Sequence, residues 1–224
     1  MIRLNAVILD MDGLMLDTEG LYKSAWQRAA VQLGFVLDEP FYFTLIGRTN
    51  AAAEIALTER FGPNFPLLAF RKRWAELWRE DAESSGIELK PGLLELLEYL
   101  AARKIPTAVA TSSDQEYAAF SLRAARLDTR RFAHVVTGEQ VEKGKPAPHI
   151  YLEAARRLGV NPARCLALED SDAGIESASA AGMNSPDGAR PESAVSSGTR
   201  EGVPSLNVAA RGGSVAVRVG CVEA

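Results

Sequence analysis

The stretch Ala6-Val7-Ile8-Leu9-Asp10-Met11-Asp12-Gly13 determines how the rest of the chain is interpreted. Its first four residues are an uninterrupted apolar run, which is typical of a short strand buried on both faces of a parallel sheet. Two carboxylates separated by one residue follow directly, and Gly13 then permits a sharp turn. Acids in this position also occur as simple turn and cap residues, so the stretch needs support from elsewhere in the chain.

Three similar apolar runs follow the first one along the chain. They span residues 105–110, 134–136 and 165–168, and each comes after a helix-like segment and leads into a polar loop. This alternation predicts an α/β fold with a doubly wound, Rossmann-like core built on a parallel sheet. In such a sheet the loops that follow the strands gather at the carboxyl edge, where ligands bind.

Residues 18–86 have a different pattern, because apolar residues recur there at helical spacing and no strand is predicted. The residues with this spacing are Leu21, Ala25, Trp26, Ala29, Leu33, Phe70, Trp74, Leu77 and Trp78. We therefore predict an α-helical cap domain, residues 18–86, inserted into a core domain formed by residues 1–17 and 87–224. The serines and glycine at 84–86 mark the exit from the insertion.

Two helix starts are signalled in the core. Ser113 and Glu116 have the spacing of a capping box, in which each side chain would bond the other's backbone amide. A second helix is predicted to begin near Ser171-Asp172, directly after an apolar strand.

Composition excludes several classes of function. A net charge of −4 and a pI near 5.4 give no reason to expect a nucleic acid partner. Cys165 and Cys221 are too few for a disulfide framework. Asp10 and Asp12 interrupt the first apolar run at once, which excludes a signal peptide, and no run is long enough to span a membrane. We therefore expect a cytoplasmic protein that does not enter a membrane.

Three further polar elements follow the acids in order, each at the end of a predicted strand or in the loop after it. They are Thr111-Ser112-Ser113, the lysine of Lys143-Gly144-Lys145-Pro146, and Glu169-Asp170. Each has an ordinary explanation by itself, as a strand-end hydroxyl, a surface lysine or capping acids. Their joint order resembles the four motifs of the haloacid dehalogenase (HAD) superfamily, and the resemblance covers residues 2–183.

The resemblance implies a role for each of these residues in phosphate transfer. A phosphate ester repels nucleophiles by its own negative charge, so a site must neutralise this charge and hold the attacking oxygen in line. Asp10 would be the nucleophile and Asp12 the general acid and base. Lys145 would place a positive charge beside the phosphoryl group and keep Asp10 ionised. Thr111 would donate its hydroxyl and Ser112 its amide to the phosphate.

Mg²⁺ is the expected cofactor, because it prefers oxygen ligands and is held by one or two carboxylates together with a substrate phosphate. Asp10 and Asp170 are the predicted side-chain ligands. The resemblance adds the backbone carbonyl of Asp12 and a contribution from Glu169, directly or through water.

Within the superfamily, residues 10–19 resemble the subgroup whose helical cap follows the first motif. This subgroup includes sugar-phosphate phosphatases and β-phosphoglucomutase. The mutases have a histidine in the first cap helix where this chain has Tyr22, and this difference favours a phosphatase that acts on a small phosphorylated metabolite. A phosphosugar mutase remains the alternative, and a non-catalytic phosphoacceptor or binding protein is a further one. Arg48 is the one cap residue predicted to contact substrate.

The resemblance ends after Met183, so residues 184–224 form an atypical C-terminal segment. The family continues there into another apolar strand, whereas this chain becomes rich in Gly, Ser and Arg. Residues 214–219 alternate in a way that suggests an edge strand, and the residues before them have the composition of a flexible tail. If the usual next strand is missing, one edge of the sheet loses a neighbour, and we expect either reduced stability or oligomerisation that covers this edge. The chain is expected to be a monomer or a weak homo-oligomer.

Overall fold

The computed structural model describes residues 4–45, 50–184, 205–210 and 213–218. The chain divides into two compact units, Met1–Asp17 with Ile87–Ala224, and Thr18–Gly86. The helices and strands in chain order are β1 (Ala6–Leu9), α1 (Glu19–Gln32), α2 (Glu39–Leu45), α3 (Asn50–Phe61), α4 (Leu67–Ser85), α5 (Leu93–Ala102), β2 (Thr107–Ala110), α6 (Gln115–Ala124), β3 (His134–Val136), α7 (His149–Leu158), β4 (Cys165–Leu168), α8 (Asp172–Ala180), β5 (Ser205–Ala210) and β6 (Gly213–Arg218).

Four parallel strands form the sheet of the first unit, in the order β3-β2-β1-β4. The chain therefore moves outward from β1 in one direction and then returns to place β4 on the other side, which is a doubly wound topology. Every residue of β1, β2 and β4 is buried, as expected for strands covered on both faces. The predicted α/β fold with a Rossmann-like core is confirmed.

The strand bounds follow the apolar runs closely. β3 and β4 have the predicted limits, whereas β2 begins two positions later than its apolar run, at Thr107. Pro106 precedes it and has no N–H to donate to a neighbouring strand, although its carbonyl accepts a bond from the Val7 amide at 3.1 Å.

One face of the sheet consists mainly of small side chains, against which α7 and α8 pack. The buried cluster contains Ala6, Ile8, Ala108, Ala110, Val136, Cys165 and Ala167 from the strands, and Ile150, Tyr151, Ala154, Ala155 and Ala178 from the helices. Small strand residues allow the helices to approach closely, as close packing requires. Burial also raises the pKa of the Cys165 thiol to about 11.

Helix α6 begins differently from the prediction. Its N-cap is Asp114, whose carboxylate accepts a bond from the Tyr117 amide at 2.7 Å. The predicted capping box of Ser113 and Glu116 was therefore wrong, because Asp114 supplies a competent cap one residue later. The prediction for α8 is confirmed, since the Ser171 hydroxyl caps it by accepting from the Gly174 amide at 3.1 Å.

The two segments that link the first unit to the second one pair with each other. The Asp17 amide donates to the Glu88 carbonyl at 2.8 Å, and the Lys90 amide donates to the Met15 carbonyl at 2.9 Å. The Lys90 ammonium also lies 2.9 Å from Asp17 Oδ1. This short ribbon fixes where the chain leaves and re-enters the first unit.

The second unit consists of helices α1 to α4, with an interior rich in aromatic rings. Trp26 meets Phe70 edge to face at a centroid distance of 5.5 Å, and Tyr22 stacks on Trp78 at 5.6 Å. Such offset and edge contacts add to the stabilisation from burial. Among the described residues, no helix combines the length and apolar character needed to cross a bilayer.

The C-terminal segment has two described features: Asn184 pairs with β4, and β5 forms where a flexible tail was predicted. Asn184 pairs with β4, since its amide donates to the Cys165 carbonyl at 3.1 Å and its carbonyl accepts from the Ala167 amide at 2.8 Å. Farther along, β6 pairs with β5 in a separate antiparallel sheet. Part of the region predicted to be a flexible tail is therefore a strand, because β6 supplies β5 with backbone partners.

Candidate active site

The ends of three neighbouring strands bring the predicted site residues to one edge of the sheet. Asp10 follows β1, and its amide donates to the Leu168 carbonyl at 3.0 Å. Thr111 follows β2, and its amide donates to the Val136 carbonyl at 3.0 Å. Glu169 follows β4 directly. The parallel register therefore places these side chains at the same edge, although they are far apart in sequence.

Lys145 joins two of the carboxylates. Its ammonium lies 2.5 Å from Asp10 Oδ1 and also forms an ion pair with Glu169 Oε1. The exposed fractions of the side chains are 6% for Lys145, 11% for Asp10 and 0% for Glu169. A buried ion pair of this kind needs good geometry to offset its desolvation, and here one ammonium serves two carboxylates.

Glu169 is held by neutral donors as well. The Tyr151 hydroxyl donates to Oε1 at 2.7 Å, and the Ser171 hydroxyl donates to Oε2 at 3.1 Å. The Asp170 amide also donates to Oε2 at 3.2 Å. A Cβ atom at Gly174 would lie 1.9 Å from the carboxyl carbon of Glu169. Glycine at this position therefore lets the first turn of α8 approach the carboxylate.

Burial and charge shift the ionisation of these groups. Burial raises the pKa of Asp10 well above 3.8, the Lys145 ammonium opposes this shift, and the nearby carboxylates of Glu169 and Asp170 add to it. Burial alone would lower the pKa of Lys145, but the two carboxylates hold it above 10.5. Burial and the charge of Glu169 raise the pKa of the Tyr151 hydroxyl well above 10.0. The three carboxylates can carry more negative charge than the single Lys145 ammonium neutralises, and this excess favours the binding of a further cation.

The arrangement of oxygens fits such a cation. Asp10, Glu169 and Asp170 each offer one carboxylate oxygen, and these atoms all lie within 4.8 Å of one another. An all-oxygen donor set suits Mg²⁺. A Cβ atom at Gly13 would lie 2.1 Å from Asp170 Oδ2, so the glycine makes room for this carboxylate.

The side chain of Asp12 has other partners. Its Oδ2 accepts a bond from the Ser113 hydroxyl at 3.2 Å, and its Oδ1 accepts one from the Tyr117 hydroxyl at 2.8 Å. Sequence reasoning assigned neither tyrosine of this site, Tyr117 or Tyr151. No helical spacing in the sequence linked Tyr117 to this site, because Ser113 precedes the N-cap residue Asp114 and lies outside the helix.

The remaining predicted residues differ in their surroundings. Thr111 is buried, and its hydroxyl oxygen accepts a bond from the Ser113 amide at 3.1 Å. Ser112 has an exposed side chain, and its carbonyl lies against Gly138, where a Cβ atom would be only 2.3 Å away. Arg48 lies outside the described residues. The structure thus gathers the lysine and three acids, directs Asp12 toward two hydroxyls, and leaves the side chain of Ser112 exposed.

The chain is similar in sequence to known proteins. A family model of haloacid dehalogenase-like hydrolases matches residues 4–182. A phosphorylated carbohydrates phosphatase of Thermotoga maritima is 37% identical over 181 residues, which cover 80% of this chain and 82% of the relative. Fructose-1-phosphate phosphatase of Escherichia coli (strain K12) is 33% identical, with coverage of 83% and 96%.

The fold is also similar to that of a solved structure. CbbY of Rhodobacter sphaeroides, crystallised in complex with phosphate, superposes with a TM-score of 0.66 at 29% identity. The match covers 81% of this chain and 84% of that one. The family match, the relatives and the shared architecture lead to one conclusion: the chain belongs to the haloacid dehalogenase-like hydrolases.

Proposed function

We propose that this chain is a magnesium-dependent phosphatase, which hydrolyses a small phosphorylated metabolite through an aspartyl-phosphate on Asp10. The observation that carries the proposal is the buried contact of the Lys145 ammonium with both Asp10 and Glu169. An ammonium in this position can neutralise charge on a phosphoryl group next to the nucleophile. The second unit, residues 18–86, would be the cap domain, whose role is to select the leaving group.

The first chemical step transfers the phosphoryl group to the protein. An oxygen of Asp10 attacks phosphorus, and the bond from phosphorus to the ester oxygen breaks. Asp12 donates its proton to that oxygen, so that the metabolite leaves as a neutral alcohol. Thr111 and Lys145 hold the phosphoryl oxygens, Thr111 through its hydroxyl and Lys145 through its charge.

The second step returns the protein to its initial state. A water molecule attacks phosphorus, gives its proton to Asp12, and the bond between phosphorus and Asp10 breaks. Inorganic phosphate leaves, and both aspartates regain their starting protonation. Division into two steps lowers the barrier because each step has a well-placed nucleophile and acid or base.

Asp10 and Asp170 would hold Mg²⁺ through their side chains, with the Asp12 carbonyl and Glu169 as further ligands. The ion supplies positive charge that lowers the repulsion between carboxylate and phosphate. Protein side chains would hold these ligands: the Lys145 ammonium keeps Asp10 in place, and the Tyr151 hydroxyl fixes the orientation of Glu169.

The names of two relatives support a proposal for the substrate class. Two of them are named as phosphatases of phosphorylated carbohydrates and of fructose 1-phosphate. We extend this class to the present chain as a small sugar phosphate or a similar phosphorylated metabolite, with Arg48 as a candidate contact in the cap.

The test is a panel of phosphorylated sugars and nucleotides, assayed for inorganic phosphate with Mg²⁺ and with excess chelator. We expect release with the metal, none with chelator, and none from Asp10→Asn. The matched control is Asp128→Asn, because this carboxylate pairs with Arg130 at the surface, 2.9 Å away. Phosphate release that survives Asp10→Asn would refute the mechanism.

The same assay separates the alternatives. A phosphosugar mutase would convert a sugar phosphate into its isomer without net release of phosphate. A phosphoacceptor protein would instead accumulate a long-lived phosphorylated form of Asp10 without turnover.

A further inference from the structure

The carboxyl group of Asp12 is held between two hydroxyl groups that come from the start of one helix. Tyr117 donates to Oδ1 at 2.8 Å and Ser113 donates to Oδ2 at 3.2 Å. These residues lie 105 and 101 positions from Asp12 in the sequence. The contact forms because β2, which precedes α6, lies directly beside β1.

The backbone around both hydroxyls is fixed. The Ser113 amide donates to Thr111 Oγ1 at 3.1 Å, and the Ser113 carbonyl accepts from the Gly138 amide at 2.9 Å. The Tyr117 amide is held by the cap residue Asp114 at 2.7 Å. Both side chains therefore extend from rigid backbone, which limits the orientations that Asp12 can adopt while bonded to them.

We propose that Tyr117 is a positioning residue, which orients the carboxyl group of Asp12 toward the oxygen of the leaving alcohol. The inference rests on the proposed function, in which Asp12 gives a proton to that oxygen. A phenol hydroxyl suits this task because it can donate to Oδ1 both when Asp12 is ionised and when the acid carries its proton on Oδ2, where the proton is available to the leaving oxygen. Tyr117 can thus keep its bond to Asp12 in both protonation states.

The consequence is a dependence on the leaving group. An alkyl phosphate needs a proton on its departing oxygen, whereas p-nitrophenol leaves as a stable anion. Proton donation belongs to the first step, and kcat/KM reports events up to that step. Misorientation of Asp12 should therefore lower kcat/KM for the alkyl phosphate and leave that for p-nitrophenyl phosphate almost unchanged.

The experiment compares Tyr117→Phe with the natural chain on glycerol phosphate and p-nitrophenyl phosphate, both with Mg²⁺. General acid catalysis contributes roughly 10²- to 10⁴-fold, so loss of orientation should cost about tenfold in kcat/KM for glycerol phosphate. The ratio of the two kcat/KM values should change by the same factor. Tyr99→Phe is the matched control, because the Tyr99 ring packs against Arg103 with the guanidinium carbon 3.6 Å from the ring centroid.

A double-mutant cycle gives an independent readout. Tyr117→Phe should have no further effect on glycerol phosphate when Asp12→Ala is already present, because the residues would act through one bond. An equal fall for both substrates, no fall for either, or additive effects in the cycle would refute the positioning role. A different result would indicate that the proposed function itself is wrong: Asp10→Asn would still release phosphate from both substrates.

Discussion

Glu169 has a fully buried side chain, and both of its oxygens accept hydrogen bonds. A buried carboxylate is costly unless charge and hydrogen bonds compensate for the lost water. Lys145 supplies the charge, and Tyr151 and Ser171 supply neutral donors. Glu169 therefore supports Lys145 and, through it, the orientation of Asp10.

Gly13 allows the carboxylate of Asp170 to approach the first loop. Its φ is +80°, and a Cβ atom there would lie 2.1 Å from Asp170 Oδ2. We predict that Gly13→Ala lowers the rate of phosphate release about 100-fold, because a displacement near 1 Å in an active site has an effect of that order. The rate should be measured with saturating Mg²⁺ and substrate.

The control for backbone strain is Gly34→Ala. Gly34 has a φ of +84°, and no heavy atom lies within 4 Å of the position that a Cβ would take, so alanine there adds strain without a clash. Gly34→Ala should lose about 1 kcal/mol of unfolding free energy from backbone strain, and Gly13→Ala should lose more because the clash with Asp170 is added to that strain. Equal activity of the two variants would show that the approach of Asp170 to Gly13 is unimportant.

Among the secondary-structure elements, α6 has two neighbouring residues at its start with different roles. Asp114 caps the helix, whereas the neighbouring Ser113 donates its hydroxyl to Asp12. We predict that Asp114→Ala costs about 1 kcal/mol of unfolding free energy, the usual effect of losing an N-cap. Chemical denaturation monitored by circular dichroism would measure it.

The comparison variant is Ser113→Ala, which removes no cap bond. Its unfolding free energy should stay within about 0.5 kcal/mol of that of the natural chain. A larger loss for Ser113→Ala than for Asp114→Ala would mean that the serine caps the helix after all.

Helix α7 has a surface ion pair cluster with a defined pH dependence. Bonds from Arg156 and Arg157 to Glu153, both at 2.7 Å, lower the pKa of this carboxyl from 4.5 to about 2. Since the pKa in the folded state is the lower one, the stabilisation is complete above pH 4.5 and is lost as the pH falls toward 2. Salt should weaken it.

We therefore predict that Glu153→Gln destabilises the protein by about 0.5 kcal/mol above pH 4.5 and by less at lower pH. Urea unfolding of both proteins across this range would measure the difference. A difference that grows as the pH falls would contradict the assignment.

At the scale of the whole molecule, the described part of the sheet ends with a single paired residue beyond β4. Met183 is 5% exposed, and Asn184 donates to and accepts from backbone groups on β4. We predict that a chain ended after Gly182 is less stable by about 2–3 kcal/mol than one ended after Asn184, because it loses a buried methionine and the edge bonds. Thermal unfolding would compare them.

The full-length chain is the third member of this comparison. A midpoint equal to that of the chain ended after Asn184 would mean that residues 185–224 add nothing to stability. Size-exclusion chromatography of the same proteins would test the expected monomer or weak homo-oligomer, since an uncovered sheet edge favours association.

The fold class could be predicted from the sequence, together with the limits of β1, β3 and β4, whereas β2 begins two residues later than its apolar run and β5 was not predicted. Apolar runs locate β1 and β4 because a strand covered on both faces must be apolar throughout. The acids and the lysine were proposed as site residues because their joint order resembles the motifs of the haloacid dehalogenase superfamily, and phosphate chemistry gives a reason for each residue type. Asp10, Glu169 and Asp170 were predicted in this way, and the structure brings them together.

The contacts of the two tyrosines became apparent only in the folded chain. The bond from Tyr117 to Asp12 spans 105 positions, and neither it nor the bond from Tyr151 to Glu169 was predicted. Such contacts depend on strand order and on the lengths of the crossovers, which leave no periodic signal in the local sequence. Tyr117 and Tyr151 look like ordinary helix residues until the sheet places a carboxylate within reach of each hydroxyl.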